Sequence, residues 1–470
     1  NRTMKKNLLT SLSLALAFTL SLPVAAQVGK GGLTEQDLST IRSGFDQSPA
    51  NRALLNAIQA NGMVLTSAAP KDYPTGEFSN RVASRGIADQ KQSGRCWLFT
   101  GLNVLRAELM QKNNAGEFFF SHNYSFFWDQ LEKSNLFLQG IIDTRKKPID
   151  DRTVAWLFRN PIGDGGQFTG VSDNLTKYGV VPSEVMPETT NSNNTSRLSS
   201  LIAKVLRQGG IRLRQAAEKG ASEKQLEQQK LTILKSVYRL LVLNLGEPPT
   251  KFTYTLRDAQ GKAISTKEYT PKSFYQEFIG RDLRNEYVMI MNDPSRPYYK
   301  TYQIEYDRHM YDGKNWTYVN VPIEELKTMA IASIKDSTML YYSCDVGKEL
   351  DSKRGVLSLG YNDYEAILGY SIDMNKKERI ETGDSGSTHA MTLVAVDLNA
   401  AGKPTKWMVE NSWGATSGHQ GHLIMTDEWF DAYTFRIVVD KKYLTDKVRA
   451  VMNDKPTMLP PWDPMFRAEE

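Results

Sequence analysis

Cys96, His389 and Asn411 are the residues of this chain whose types and order could carry out nucleophilic acyl transfer. A thiol attacks a carbonyl only as thiolate, so it needs a base to take its proton and a positive environment to hold the charge. His389 could be that base, and the amide oxygen of Asn411 could accept the Nδ1 proton and fix the tautomer. Gln90, six residues before Cys96, would then donate to the oxyanion. The pattern predicts a cysteine-dependent acyl-transfer site.

The element that carries the thiol is predicted to be a helix. Apolar residues recur at helical spacing after Ser93-Gly94, namely Leu98, Leu102, Leu105 and Leu109. Cys96 would therefore sit, exposed, in the first turn of an amphipathic helix. The positive helix end and a nearby imidazolium both favour the thiolate form.

The elements that carry the base and its partner read as two strands around a turn. The strands are predicted over 389–397 and 405–411, and the turn over 399–404. If the strands pair symmetrically about Ala400, His389 faces Asn411, with Cβ atoms about 4.5 to 5.5 Å apart. Trp413 could then cover their hydrogen bond from water.

A single cysteine in an apolar helix is more often an inert core thiol, and a lone glutamine or asparagine is usually a surface group. What favours the catalytic interpretation is the joint occurrence of these residues in the right chain order. Gln90 precedes Cys96 by six, a histidine comes late, and Asn411-Ser412-Trp413-Gly414 follows a strand.

The chain resembles the bleomycin hydrolase and aminopeptidase C family, a branch of the papain superfamily, from about residue 40 to the end. The motifs that carry the resemblance are Gly94-Arg95-Cys96-Trp97-Leu98-Phe99, Phe126-Phe127-Trp128-Asp129, Gly165-Gly166-Gln167, Ile211-Arg212-Leu213-Arg214, Cys344-Asp345-Val346-Gly347-Lys348, Met425-Thr426-Asp427-Glu428-Trp429-Phe430 and Pro461-Trp462-Asp463-Pro464-Met465. The resemblance places the family's nucleophile, base, orienting amide and oxyanion glutamine on Cys96, His389, Asn411 and Gln90. Trp97 and Trp413 would support them.

That resemblance implies an α+β, papain-like, two-lobed peptidase that has a helical insertion and an extended C-terminal arm. The predicted divisions are a signal peptide with a leading remnant (1–26), an N-terminal extension and helical lobe with Cys96 (27–190), a mostly helical insertion (191–290), a β-rich lobe with His389 and Asn411 (291–455) and the arm (456–470). In the family, such insertions build a ring-shaped homohexamer. A solvated helical decoration is the alternative interpretation of residues 191–290.

The first segment is typical of an export signal. Lys5-Lys6 precede an apolar run from Leu8 to Leu22, and Val24-Ala25-Ala26 offers a small-residue cleavage site. The run is short for a membrane span, and no span follows it, so we expect a periplasmic or secreted protein. Removing the segment with Arg2, Lys5 and Lys6 lowers the formal net charge from +5 to +2. So small a charge gives little electrostatic reason to bind nucleic acid.

The chain has two cysteines, too few for a disulfide framework even in an exported protein. Pairing them would disable the nucleophile. Cys344 lies in a β-prone run from Met339 to Val346, which predicts a buried strand position.

Gly165-Gly166 resemble a papain-type glycine pair whose backbone lines the substrate cleft, and a turn pair is the competing interpretation. His419 and His422 have a spacing that could suggest a metal, but without further ligands they read as loop residues. His122 and His309 have no evident catalytic context. The sequence therefore predicts no metal and no cofactor.

The C-terminal arm, with three prolines from Pro460 onward, is predicted to be extended and anchored by Trp462 and Met465. A disordered tail is the alternative. In the family the arm lies in the active-site cleft, where a terminal carboxylate can pair with the α-ammonium of a peptide. Glu469 and Glu470 would supply that charge, and self-trimming of Glu470 would leave Glu469 terminal.

Three functions are thus open. The favoured one is a cysteine aminopeptidase that acts on peptides. A papain-like endopeptidase follows if the arm does not close the cleft, and a non-catalytic scaffolding ring is disfavoured by the presence of Gln90, Cys96, His389 and Asn411.

Overall fold

The structure is a computed structural model, and it describes residues 30–69 and 73–466. These residues form two compact units that divide between Thr66 and Ser67. Within the described residues, no helix combines the length and apolar character needed to cross a membrane. The predicted signal peptide (1–26) and the predicted substrate-binding residues Glu469 and Glu470 lie outside the described residues.

The first unit is built from short capped helices. α1 (Glu35–Arg42) begins after Thr34, whose side chain and Asp37 cap each other's backbone reciprocally. α2 (Pro49–Asn61) begins after Ser48, whose side chain accepts from the backbone N–H of Asn51. α3 (Met63–Ser67) then leads to the second unit.

The second unit contains the remaining helices. In chain order they are α4 (Cys96–Asn113), α5 (His122–Asp143), α6 (Arg152–Arg159), α7 (Phe168–Tyr178), α8 (Ser196–Glu218), α9 (Glu223–Leu245), α10 (Pro271–Phe278), α11 (Ile323–Lys335), α12 (Tyr364–Leu368), α13 (Lys376–Thr382), α14 (Asp427–Tyr433), a 3₁₀ turn (Lys441–Tyr443) and α15 (Asp446–Val451).

Its strands are β1 (Asn80–Arg81), β2 (Phe252–Arg257), β3 (Ala263–Tyr269), β4 (Tyr287–Met291), β5 (Lys300–Ile304), β6 (Thr317–Asn320), β7 (Leu340–Cys344), β8 (Leu350–Asp351), β9 (Val356–Leu357), β10 (His389–Leu398), β11 (Pro404–Glu410), β12 (His422–Thr426), β13 (Thr434–Asp440) and β14 (Thr457–Leu459). All but β2 and β3 join one mixed sheet in the order β14-β5-β6-β4-β13-β7-β10-β11-β12-β9-β8, and β1 pairs with β10.

Helix α4 begins at Cys96, as predicted, but it is not amphipathic. Almost all of its side chains are buried, including those of Asn103 and Arg106. The cause is its central position: α5 and α7 pack on α4, and β7 and β10 pack on it as well. A helix that is packed by helices on one side and by strands on another buries nearly all of its faces. The leucine spacing predicted the burial of only one face.

The predicted insertion region is mostly helical, as expected. α8 and α9 pack on each other, and β2 and β3 form an antiparallel hairpin around the turn at Asp258–Gly261. Both helices pack on α5 and share one hydrophobic core with α4 and α5. The helical region therefore contributes to the lobe that holds Cys96, and the division at 191–290 stays a prediction.

Strands β10 and β11 form as predicted, but their predicted register is wrong. The observed partners include Thr392 with Glu410 and Val396 with Trp407, so pairing symmetric about Ala400 does not occur. The ladder shifts by one residue between Leu393 and Ala395, and the bulge, together with a turn that ends beyond Gly402, moves the register.

Because pairing with β11 ends at Thr392, His389 has a different cross-strand neighbour. Its Cα lies opposite that of Cys344 in β7. Cys344 is fully buried in that strand, as predicted, and neither Cys96 nor Cys344 forms a disulfide.

Candidate active site

Cys96 is the first residue of α4, directly after Arg95 at the N-cap. Its Sγ accepts a hydrogen bond of 3.4 Å from the backbone N–H of Ala390 in β10. The thiol thus lies between the lobes, at a helix end whose dipole favours negative charge. The side chain is fully buried, so the prediction of an exposed thiol is wrong.

His389 begins β10, and its imidazole Nε2 lies 2.9 Å from Oδ1 of Asn411. The predicted partners are therefore together, but the nitrogen that bonds Asn411 is Nε2 and not Nδ1. Asn411 directly follows the last residue of β11, and from there its amide oxygen meets the imidazole at Nε2. The same Oδ1 accepts the backbone N–H of Ser412 at 2.8 Å, which holds the amide in place. With Nε2 donating, the imidazole is fixed in one tautomer.

Trp413 stacks on the imidazole of His389, with ring centroids 5.0 Å apart and ring planes inclined by 29°. Both His389 and Asn411 are buried beneath this contact. Water is thereby kept from their hydrogen bond, which strengthens it.

Gln90 joins the two segments of the site. Its backbone N–H donates to the carbonyl of Ser412 at 2.8 Å, and the Ser412 hydroxyl donates to Gln90 Oε1 at 2.5 Å. Its Nε2 donates to the carbonyl of Ser93 at 2.7 Å. An amide nitrogen has two donor hydrogens, so one is used by Ser93 and the second can serve an oxyanion.

A buried ion pair that the sequence did not reveal connects the helix of Cys96 to the strand before Asn411. Arg106 Nη2 lies 2.7 Å from Oε1 of Glu410, and both side chains are about fully buried. Burial raises the pKa of Glu410, and Arg106 partly offsets that rise. Burial likewise lowers the pKa of Arg106, against the opposing charge of Glu410. The pair fixes α4 against β11.

The predicted cleft residues Gly165 and Gly166 follow Asp164, whose backbone carbonyl accepts from Trp97 Nε1 at 2.7 Å. A Cβ added to Gly166 would lie 2.0 Å from Cε1 of His309. Glycine is therefore required here by a side chain inside the protein. The sequence pattern indicated a need for glycine only on the substrate side, and it did not indicate the contact with His309.

A cavity of about 680 Å³ adjoins this glycine segment. Its lining includes Gly165 and Gly166 of the glycine segment and Thr388, the residue before His389. The aromatic lining residues are Phe137, Trp156, Tyr306, Trp462 and Phe466. Such a concave, aromatic-lined volume beside a reactive group is where a peptide side chain would bind.

The C-terminal residues reach this cavity. β14 pairs in parallel with β5, and two turns follow, closed by Asp463 N–H to the Pro460 carbonyl and by Phe466 N–H to the Asp463 carbonyl. Met465 is buried, and its carbonyl accepts from Arg436 at 2.7 Å.

Two aromatic contacts complete the anchoring of the tail. The Arg152 guanidinium lies 4.0 Å from the ring centroid of Trp462, and the ring centroids of Phe466 and Trp156 are 5.4 Å apart. The tail is therefore held as far as Phe466.

The remaining histidines have structural surroundings. His419 and His422 flank a tight turn, where Nδ1 of His422 lies 3.0 Å from the carbonyl of Gln420. His122 is buried, with its ring stacked 3.6 Å from that of Phe99.

The chain is similar to known proteins along most of its length. Residues 32–466 match the Peptidase C1-like family. The chain is 35% identical to aminopeptidase C of Lactobacillus delbrueckii subsp. lactis over 432 residues, which cover 90% of this chain and 95% of that protein. It is 41% identical to bleomycin hydrolase of Homo sapiens over 400 residues, which cover 83% and 88%.

A solved structure is similar throughout. The crystal structure of PepW from Lactobacillus rhamnosis has a TM-score of 0.90 and 36% identity, covering 93% of this chain and 100% of that one. These matches confirm the predicted family and the papain-like fold. The chain belongs to the Peptidase C1-like family and is a cysteine peptidase.

Proposed function

We propose that the protein is a cysteine aminopeptidase in which Cys96 is the nucleophile and His389 the base. The observation that carries the proposal is the buried His389–Asn411 hydrogen bond of 2.9 Å beside a thiol at a helix start. Because Asn411 engages Nε2, Nδ1 is the nitrogen that takes the proton of Cys96. This arrangement matches the requirements of a thiolate nucleophile with an oriented base.

In the proposed reaction, the Cys96 thiolate attacks the first peptide carbonyl, and a C–S bond forms while the carbonyl oxygen becomes an oxyanion. The backbone N–H of Cys96 and the second Nε2 hydrogen of Gln90 stabilise that charge. His389 gives its proton to the leaving amine, and the C–N bond breaks. Water, deprotonated by His389, then hydrolyses the thioester and releases the N-terminal residue.

Cleavage of one residue at a time is supported by the anchored tail and by the relatives, two of which are named aminopeptidase C and bleomycin hydrolase. Phe466 is held at the cavity, and four residues that include Glu469 and Glu470 follow it. A terminal carboxylate near the cavity would pair with the α-ammonium of a substrate and block longer chains. An endopeptidase remains the alternative if this tip does not close the cleft.

The assignment of the nucleophile is tested with two single substitutions. Cys96→Ala should abolish release of amino acids from a peptide, whereas the matched control Cys344→Ala should keep activity, because its thiol lies in the core strand β7. Gln90→Ala should fold and lose about 100 to 1,000 fold in kcat. Equal activity of wild type and Cys96→Ala would reject the proposal.

Two further properties are part of this proposal. We propose export through residues 1–26, which N-terminal sequencing of the protein from intact cells would test by finding Gln27 first. We also propose a homohexamer, which light scattering would test by mass. Trimming of Glu470 predicts an intact mass that ends at Glu469.

A further inference from the structure

Three side chains form a hydrogen-bonded cluster beside the glycine segment Gly163–Gln167, and two of them, those of Lys133 and His309, also line the cavity. Asp129 and Lys133 are one turn apart on α5, and His309 comes from the loop before β6. The side chains of Asp129, Lys133 and His309 are 0%, 12% and 4% exposed. We call these three residues the wall cluster.

Lys133 binds the backbone of the glycine segment directly. Its Nζ donates to the carbonyls of Gly163 at 2.9 Å and Gly165 at 2.7 Å. The same ammonium lies 3.0 Å from Oδ2 of Asp129, which holds it in place. All three donor hydrogens of the ammonium therefore have acceptors, two of them in the segment that borders the cavity.

His309 supports the same segment from its other end. Its Nδ1 lies 2.5 Å from Asp129 Oδ1, and the backbone N–H of Gln167 donates to Nε2 at 3.4 Å. An N–H donor facing Nε2 requires that Nδ1 carries the proton, so the ring is a neutral bridge between Asp129 and the backbone. Burial lowers the pKa of His309, and Asp129 partly offsets this effect.

The ring of His309 also sets the position of the segment by its volume. It occupies the space that a Cβ of Gly166 or Gly170 would need, with Cε1 at 2.0 and 2.3 Å from those positions. On its other side it meets Trp97 edge to face, with centroids 4.5 Å apart. The glycine segment, His309 and the residue after Cys96 are thus packed in one layer.

We propose that the wall cluster positions Gly163–Gln167 for substrate binding, and that Lys133 is its central positioning residue. The inference rests on the proposed function. A purely structural role is the competing explanation, but buried ion pairs are weak stabilisers, because desolvation offsets most of their attraction. Two of the three hydrogen bonds of the Lys133 ammonium go to carbonyls in the wall of the cavity. They hold this backbone rigid, which favours substrate binding.

The test compares Lys133→Met with Lys177→Met in the full chain. Lys177 is the matched control, because it forms an ion pair with Glu132, also on α5, but does not contact the glycine segment. For a free dipeptide, Lys133→Met should raise KM about tenfold or more and change kcat less than about threefold, since a binding wall loosens while the nucleophile stays. Lys177→Met should keep the wild-type KM.

A second readout separates the wall from the nucleophile. The rate at which iodoacetamide alkylates Cys96 does not depend on subsite binding, so Lys133→Met should keep it within about twofold of wild type. An unchanged KM, or an alkylation rate that falls together with kcat/KM, would overturn the inference.

If Lys133→Met does not fold, Lys133→Gln keeps two of the three N–H donors without the charge and decides the same question through KM. Wild-type protein that releases no amino acid would instead contradict the proposed function. An active wild type with a normal KM in the Lys133 variants would contradict this inference alone.

Discussion

Trp413 stacks on His389 although pairing between β10 and β11 ends before either residue. Extending the observed register by three residues would bring position 413 opposite 389, so the stacked pair continues the geometry of the ladder. The indole therefore covers the His389–Asn411 hydrogen bond from a position that the sheet sets.

Removing the indole should lower turnover without removing the nucleophile. Aromatic pairs contribute about 0.5 to 1.5 kcal/mol beyond buried area, so Trp413→Ala should reduce kcat by about tenfold. Trp413→Phe should restore much of that loss, because a ring still covers His389. Steady-state kinetics of both variants would test this, and equal kcat for wild type and Trp413→Ala would contradict it.

The Asn411 side chain should contribute more to catalysis than an exposed amide would. Asn411→Ala leaves the buried Nε2–H of His389 without its acceptor, which commonly costs about 1 to 3 kcal/mol. We expect kcat/KM to fall by about 10 to 100 fold at neutral pH. The pH–rate profiles of the variant and of the wild type are compared. If the variant keeps the profile and the rate of the wild type, Oδ1 of Asn411 does not orient the base.

Removing one member of the ion pair between Arg106 and Glu410 should lower stability far more than removing both. Arg106→Met leaves a buried carboxylate unpaired and should lower the free energy of unfolding by about 3 to 5 kcal/mol. The double variant Arg106→Met with Glu410→Leu should recover most of that loss, because neither charge is then buried. Urea unfolding measures all three proteins, and a loss below about 1 kcal/mol in the single variant would refute this interpretation.

His122 should make stability depend on pH. Burial, then the charges of Arg95 and Arg106, hold its pKa well below the ordinary value. Unfolded histidine titrates near about 6.5, so below that pH the unfolded chain binds a proton that the folded protein does not. The contribution of His122 to the free energy of unfolding should therefore be complete above about pH 7. It should decrease as the pH falls below that value.

His122→Phe isolates this effect, since a phenyl ring can keep the stack on Phe99. When the pH falls from 7 to 5.5, the free energy of unfolding should decrease by about 1 kcal/mol less in the variant than in the wild type. Glu410, whose pKa is raised, and the other histidines are present in both proteins and cancel. The same loss in both proteins would contradict the assignment.

Local sequence patterns were sufficient to predict the elements that carry the site. The glycine before Cys96 and the leucines after it indicated the helix start, and the turn residues near Gly402 separated two β-prone runs. These signals act over a few residues, so they hold regardless of the rest of the fold. They placed Cys96, His389, Asn411 and Gln90 in one chain order that the structure brings together.

What the sequence did not predict depends on contacts between distant segments. The bulge near Leu393 changed the register, and the ring nitrogen that meets Asn411 followed from that change. Arg106 and Glu410 are 304 positions apart, and no local pattern pairs them. His309 likewise acquires its surroundings only when the loop before β6 packs against α5.

We propose that the protein removes single residues from a free amino terminus. The most direct test offers one peptide with a free amine and its N-acetylated twin, in reducing buffer, to the protein from Gln27 onward and to the same protein ending at Phe466. That end point keeps the contact of Phe466 with Trp156. We predict that the longer protein releases single residues from the free peptide only, and that the shortened one also cuts both peptides internally. Internal cleavage of the acetylated peptide by the longer protein would contradict the account.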